Sequence, residues 1–216
     1  MNVYFISGLA ADYRVFKNIQ LPPGFTAVHL NWIKPEVNET LAKYALRLAA
    51  GMDTGKPFAL IGLSMGGMMA IEISKHYPPK ATILISSAAV FTQLPGRYSI
   101  ARKLALHKLV PIGLLKNVSI LKRLFGADNV ADKKMLKQII RDSNPAFIRW
   151  SLDAILHWTN TEVPQPLYHL HGTSDNVLPF KNIQPTHVIK NGSHLMVTSK
   201  AAEINEIIGK ILLSVN

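Results

Sequence analysis

Short apolar runs recur along the chain, and between them the apolar positions change spacing. Val3–Ile6, Phe25–Leu30, Phe58–Ile61, Ala81–Ser86, Pro166–Leu170 and Thr186–Ile189 are four to six residues long. Continuous apolar runs of that length read as strands buried on both faces. Between the second and third runs, Leu41, Ala45, Leu48 and Ala49 recur at helical spacing, predicting a helix over Glu39–Met52 with Asn38 as its cap. A second helix is predicted after the third run, continuing to Tyr77 and stopped by Pro78-Pro79. A last one covers Ser199–Val215, where Ile204, Ile207, Ile208, Ile211 and Leu212 share one face. After the first run, the loop Ser7–Asp12 leads to a short helix that Asp12 caps. Buried strands alternating with helices imply an α/β fold, a mostly parallel sheet with helices on both faces.

Residues 88–164 interrupt that alternation. They contain amphipathic helical stretches, for example Leu136, Ile139 and Ile140 opposite Lys133, Lys137 and Arg141, punctuated by Pro95-Gly96, Pro111, Asn144-Pro145 and Pro164. An insertion of this size between neighbouring strands is expected to form a helical lid over the sheet's C-terminal end. The remaining 1–87 and 165–216 then make up the core of one domain.

Composition narrows the field. The 216 residues are 48% hydrophobic and 17% charged, which suits a globular chain. Cysteine is absent, excluding disulfides, thiolate nucleophiles and Cys metal sites, and fitting a reducing compartment. Met1–Ser7 has no basic leader pattern, and no apolar stretch reaches the eighteen or so residues of a membrane span, so a cytoplasmic address is expected. The formal net charge is +11, and twelve of the 24 Lys and Arg fall between Arg97 and Arg149 against three Asp. Such a field favours an anionic partner or substrate at the lid, or simply solvates its outer faces. No nucleic-acid recognition motif accompanies it.

The chemistry concentrates in Gly62-Leu63-Ser64-Met65-Gly66-Gly67, between a predicted strand and a predicted helix. Gly-x-Ser-x-Gly in that context is a nucleophile-elbow pattern. Its glycines let strand and helix pass closely, and the helix start offers free N–H groups to a developing oxyanion. Two later segments each follow a predicted strand: His171-Gly172-Thr173-Ser174-Asp175 and Asn191-Gly192-Ser193-His194. His169, inside the fifth run, and His171, just past it, read as structural, while Met65, Met68 and Met69 read as packing residues.

With Ser, Asp and His in this order, each just past a strand, the sequence resembles the α/β-hydrolase family over nearly its whole length. The resemblance implies six strands in the order 2-1-3-4-5-6, the family's usual first two being absent ahead of Val3. It implies Ser64 as nucleophile, His194 as general base and then acid, and Asp175 as the group that orients the imidazole. A serine hydroxyl needs such a base at neutral pH, and the base needs a carboxylate to fix its tautomer. Where the family usually has His-Gly, this chain has Ser7-Gly8, so the Leu9 and Met65 N–H groups match the oxyanion hole. The type it most resembles is the small helical-lid serine esterase, pimeloyl-carrier esterases among them. That implies hydrolysis of a small-to-medium carboxylic ester under the lid, without metal or organic cofactor. Acyl-thioester hydrolysis on an anionic carrier-bound substrate, and a non-catalytic ligand-binding protein on the same fold, stay open.

Overall fold

The computed structural model describes residues 1–104 and 130–215. At its centre lie β1 (Asn2–Ile6), β2 (Thr26–His29), β3 (Phe58–Leu63), β4 (Ala81–Ile85), β5 (Leu167–Gly172) and β6 (His187–Ile189). They form one sheet in the order β2-β1-β3-β4-β5-β6, and every neighbouring pair is parallel. Order and direction agree with the sequence reading. Successive side chains along a strand point to opposite faces. Val3, Phe5, Ala59, Ile61, Ile83 and Ile85 accordingly join one core, while Tyr4, Ile6, Phe58, Leu60 and Leu84 join another. Winding reverses at β1, which has β2 on one side and β3 on the other, and ligands of open parallel sheets bind at the strand ends beside such a reversal.

Helices cover both faces. α1 (Leu41–Ala49) and α2 (Met65–Ser74) pack on the second core. α2 is buried all round, including Glu72. Further helices among the described residues are α3 (Gly96–Lys103), α4 (Val130–Asp142), α5 (Pro145–Leu156), α6 (Met196–Ser199) and α7 (Ala201–Ser214). Ile204, Ile208, Ile211 and Leu212 of α7 fill the first core, as their spacing predicts.

Several boundaries differ from the sequence reading. α1 starts at Leu41 under a Thr40 cap that accepts from the Lys43 N–H, because Asn38 sits in a left-handed turn at φ 56°. The Glu39 carboxylate is also held outside the helix by the Glu36 N–H and Arg47. α2 ends at Ser74, and the three residues up to Tyr77 continue only as turns. The final helix, α7, starts at Ala201 rather than Ser199, and the one-turn helix α6 precedes it.

Between β4 and β5, α4 and α5 sit on different cores. Leu136, Ile139 and Ile140 of α4 enter the first, as their spacing predicts, and Phe147 and Ala154 of α5 enter the second. Only Ser143 and Asn144 separate the two helices, Asn144 capping α5 through the Ala146 and Phe147 N–H groups. Asp142 of α4 pairs with Arg14 at 2.8 Å, and buried Asp132 lies 3.7 Å from Lys17. Pro111 and the basic residues Lys108, Lys116, Lys122 and Arg123 lie outside the described residues. Among those described, no helix is long and apolar enough to cross a membrane.

Candidate active site

β3 enters the elbow at Ser64, whose backbone takes φ 53°, ψ −120°. That conformation is costly for a residue with a Cβ and persists only where the surroundings enforce it. Here they do. The Ser64 N–H donates to Ile85 O at 3.0 Å, and Ser64 O accepts from the Gly67 N–H at 2.9 Å. Ser87 Oγ adds a third bond to Ser64 O at 2.6 Å. The crossing behind the serine has no room for a side chain, since a Cβ on Gly66 would collide with the carbonyls of Ile6 and Ser7. Leu63 and Met65 are buried, whereas Ser64 is half-buried and remains reachable.

The loop after β1 lies against this serine. A Cβ on Gly8 would come within 3.3 Å of Ser64 Cβ. Gly8 O accepts the Ala11 N–H at 3.0 Å, closing a tight turn with Ala10 at φ 54°. Ser7 Oγ donates to Ala11 O at 3.1 Å, and Trp32 Nε1 donates to the same oxygen at 2.8 Å. The turn that carries Leu9 is thereby braced without the family's usual histidine. Met65 is the first residue of α2, so its N–H has no acceptor within the helix.

Asp175 follows β5 and His194 follows β6, and their loops are joined directly. A Cβ on Gly172 would strike the Gly192 carbonyl, and the Ser174 N–H donates to Gly192 O at 2.9 Å. His194 Nδ1 lies 2.8 Å from Asp175 Oδ2, and Nε2 lies 3.0 Å from Ser64 Oγ. An ionised carboxylate only accepts, so Nδ1 carries the proton and Nε2 turns its lone pair to the serine hydroxyl. Asp175 Oδ1 accepts from the Val177 and Leu178 N–H groups at 2.8 and 2.9 Å. Burial pushes this carboxyl up, but the His194 ring and the Leu178 N–H outweigh it and hold it below its ordinary value. All three residues named from the sequence thus meet in one hydrogen-bonded line.

His169 and His171 lie behind that line, both buried. Burial, with His171 nearby, lowers His169 to about 3, although its Nε2 donates to Ser87 O at 3.1 Å. Burial likewise lowers His171, whose Nε2 donates to Leu178 O at 2.9 Å and lies 3.5 Å from Asp175 Oδ2. Ser87 escaped the sequence reading because a serine after a strand carries no signal of what it will bond. Among the described residues, no cluster of His, Asp or Glu is arranged to hold a metal ion. A cavity of about 950 Å³ bordered by Glu72, Lys75, Trp150 and Asn160 contains none of the Ser64, His194 and Asp175 side chains.

A family model described as the alpha/beta hydrolase family matches residues 5–207. The chain belongs to that family. Solved structures show how far the hydrolase fold carries over. A thermophilic esterase from Thermogutta terrifontis superposes with a TM-score of 0.76 at 16% identity, covering 100% of this chain and 90% of the other. An esterase from Exiguobacterium antarcticum gives 0.75 at 16% identity, covering 99% and 91%. A lipase-esterase related protein from Clostridium acetobutylicum gives 0.71 at 16%, covering 96% and 92%. Identities this low speak for the fold alone. No curated protein matches the sequence.

Proposed function

We propose that this alpha/beta hydrolase cleaves a small-to-medium carboxylic ester through Ser64, His194 and Asp175. The observation that carries the reading is the unbroken line from Ser64 Oγ to His194 at 3.0 Å and on to Asp175 at 2.8 Å. In this mechanism His194 Nε2 takes the Ser64 proton as Oγ attacks the ester carbonyl. The Leu9 and Met65 N–H groups hold the oxyanion, with the dipole of α2 behind Met65. His194 returns the proton to the departing alkoxide, leaving an acyl group on Ser64. Water then gives a proton to His194 and attacks the acyl carbon, releasing the acid and regenerating the serine. Asp175 keeps Nδ1 protonated and stabilises the imidazolium in both halves.

The described parts of the insertion between β4 and β5, residues 88–104 and 130–164, serve as the lid over the acyl group, and a cysteine-free chain suits a cytoplasmic setting. A second reading, hydrolysis of an acyl thioester on an anionic carrier, is favoured by the exposed Lys134 and Lys137 of α4. A panel of esters and thioesters of graded acyl length, with fluorophosphonate labelling of the parent and of Ser64→Ala, tests both. Labelling at Ser64 with fastest turnover of short-to-medium esters is expected, and Ser64→Ala should be inert. Thioester preference that weakens with salt would move the assignment to the second reading. A parent that binds acyl ligands but takes no label would make the chain a binding protein.

A further inference from the structure

Arg97 lies in the first turn of α3, beyond the elbow and remote in sequence from Asp175, yet it touches the loop of that acid. Its Nη2 donates to Asn176 O at 3.2 Å and to Val177 O at 3.0 Å. Those carbonyls belong to the two peptide groups whose opposite ends already have a role. The Asn176–Val177 peptide presents the Val177 N–H to Asp175 Oδ1, and the Val177–Leu178 peptide presents the Leu178 N–H to the same oxygen. In a trans peptide the C=O and N–H point in opposite directions. Twice over, then, a cation sits at the oxygen end of a peptide and a carboxylate at its nitrogen end. Hydrogen bonds in series polarise one another, so a charge at the oxygen strengthens the N–H as a donor. The guanidinium is further steadied by the Tyr98 ring, 5.7 Å from its carbon.

We propose that Arg97 is a positioning residue for Asp175, acting through two consecutive peptide groups and tying the seating of α3 to the assembly of the Ser64–His194–Asp175 line. It touches no reacting atom. Its work is to fix the Asp175 oxygen that does not face His194, so that the other oxygen stays aligned on Nδ1. This rests on the serine-hydrolase reading and adds a condition to it: the acid is in place only when the helix that carries Arg97 is docked. Arginine suits the position because its Nη2 carries two N–H donors, one for each of the two adjacent carbonyls.

The test is a double-mutant cycle, read as kcat and KM on a short-chain ester and as the rate of fluorophosphonate labelling at Ser64. Arg97→Gln is made in the parent and in Asp175→Asn, with Arg97→Lys as the conservative variant. In the parent background Arg97→Gln should lower kcat and the labelling rate about 10-fold, with KM held within about 2-fold, the size of effect expected when a catalytic group is slightly misplaced. Arg97→Lys should recover most of that loss. In the Asp175→Asn background the same change should cost less than about 2-fold, because no carboxylate remains to be held. Equal losses in both backgrounds would overturn the inference, since Arg97 would then act independently of Asp175. A raised KM with kcat unchanged would also overturn it, marking a substrate contact. If the parent takes no label, the serine-hydrolase reading falls and this one with it; a labelled parent with an indifferent Arg97→Gln removes this one alone.

Discussion

Replacing Ser64 by Gly should destroy the proposed activity yet leave the protein more stable than replacing it by Ala. Ser64 is held at φ 53°, ψ −120°, a region that glycine enters freely and other residues occupy at a cost of about 1–3 kcal/mol. Glycine also loosens the unfolded chain, which offsets about 0.4–1 kcal/mol of that relief. The proper reference is Ser64→Ala, which keeps the Cβ. Both variants lose the same hydroxyl and the same 3.0 Å contact with His194, so their difference isolates the backbone. The glycine variant should exceed the alanine variant by about 0.5–2 kcal/mol. For a chain of this length, that is a midpoint higher by about 1–8 °C. Urea unfolding gives the free-energy difference and calorimetry the midpoint. A glycine variant no more stable than the alanine variant would show that the elbow stores no strain.

Two further outcomes follow from buried groups. Glu72 accepts from Trp158 Nε1 at 2.6 Å and pairs with Lys75 at 2.5 Å, so Trp158→Phe leaves one oxygen of a buried carboxylate without its donor. Urea unfolding should register a loss of about 1–3 kcal/mol, and an unchanged midpoint would mean that the bond is dispensable. His169 is lowered to about 3, mainly by burial, against an ordinary value near 6.5. Between those two pH values the unfolded chain binds the extra proton, so stability should fall as pH drops from about 6.5 towards 3. His169→Gln should flatten that part of the curve of unfolding free energy against pH, and an unaltered slope would refute the assignment.

What the sequence reveals follows from the range of the forces involved. Buried parallel strands are apolar on both faces, so Val3–Ile6, Phe58–Ile61 and Ala81–Ser86 announce themselves, and the elbow glycines are dictated by a backbone crossing that admits no alternative. Strand order and the places of Ser64, Asp175 and His194 followed from the family resemblance. Helix ends were less legible because they turn on local competition: Asn38 looks like a cap, but Glu39 is claimed by Arg47 and the Glu36 N–H, and Thr40 caps instead. Ser87 and Arg97 were invisible for another reason. Each acts on a backbone group far away in the chain, and neither a serine after a strand nor an arginine among many basic residues indicates which carbonyl it will meet.

The contact between Gly172 and Gly192 has a consequence for how this enzyme can diversify. Acid and base ride on segments that touch main chain to main chain, so they form a single mechanical part. A residue inserted into either segment would shift both partners relative to the nucleophile and could not be absorbed locally. Variation in what the protein accepts is then expected in the stretch between β4 and β5, with the loops after β5 and β6 unchanged in length.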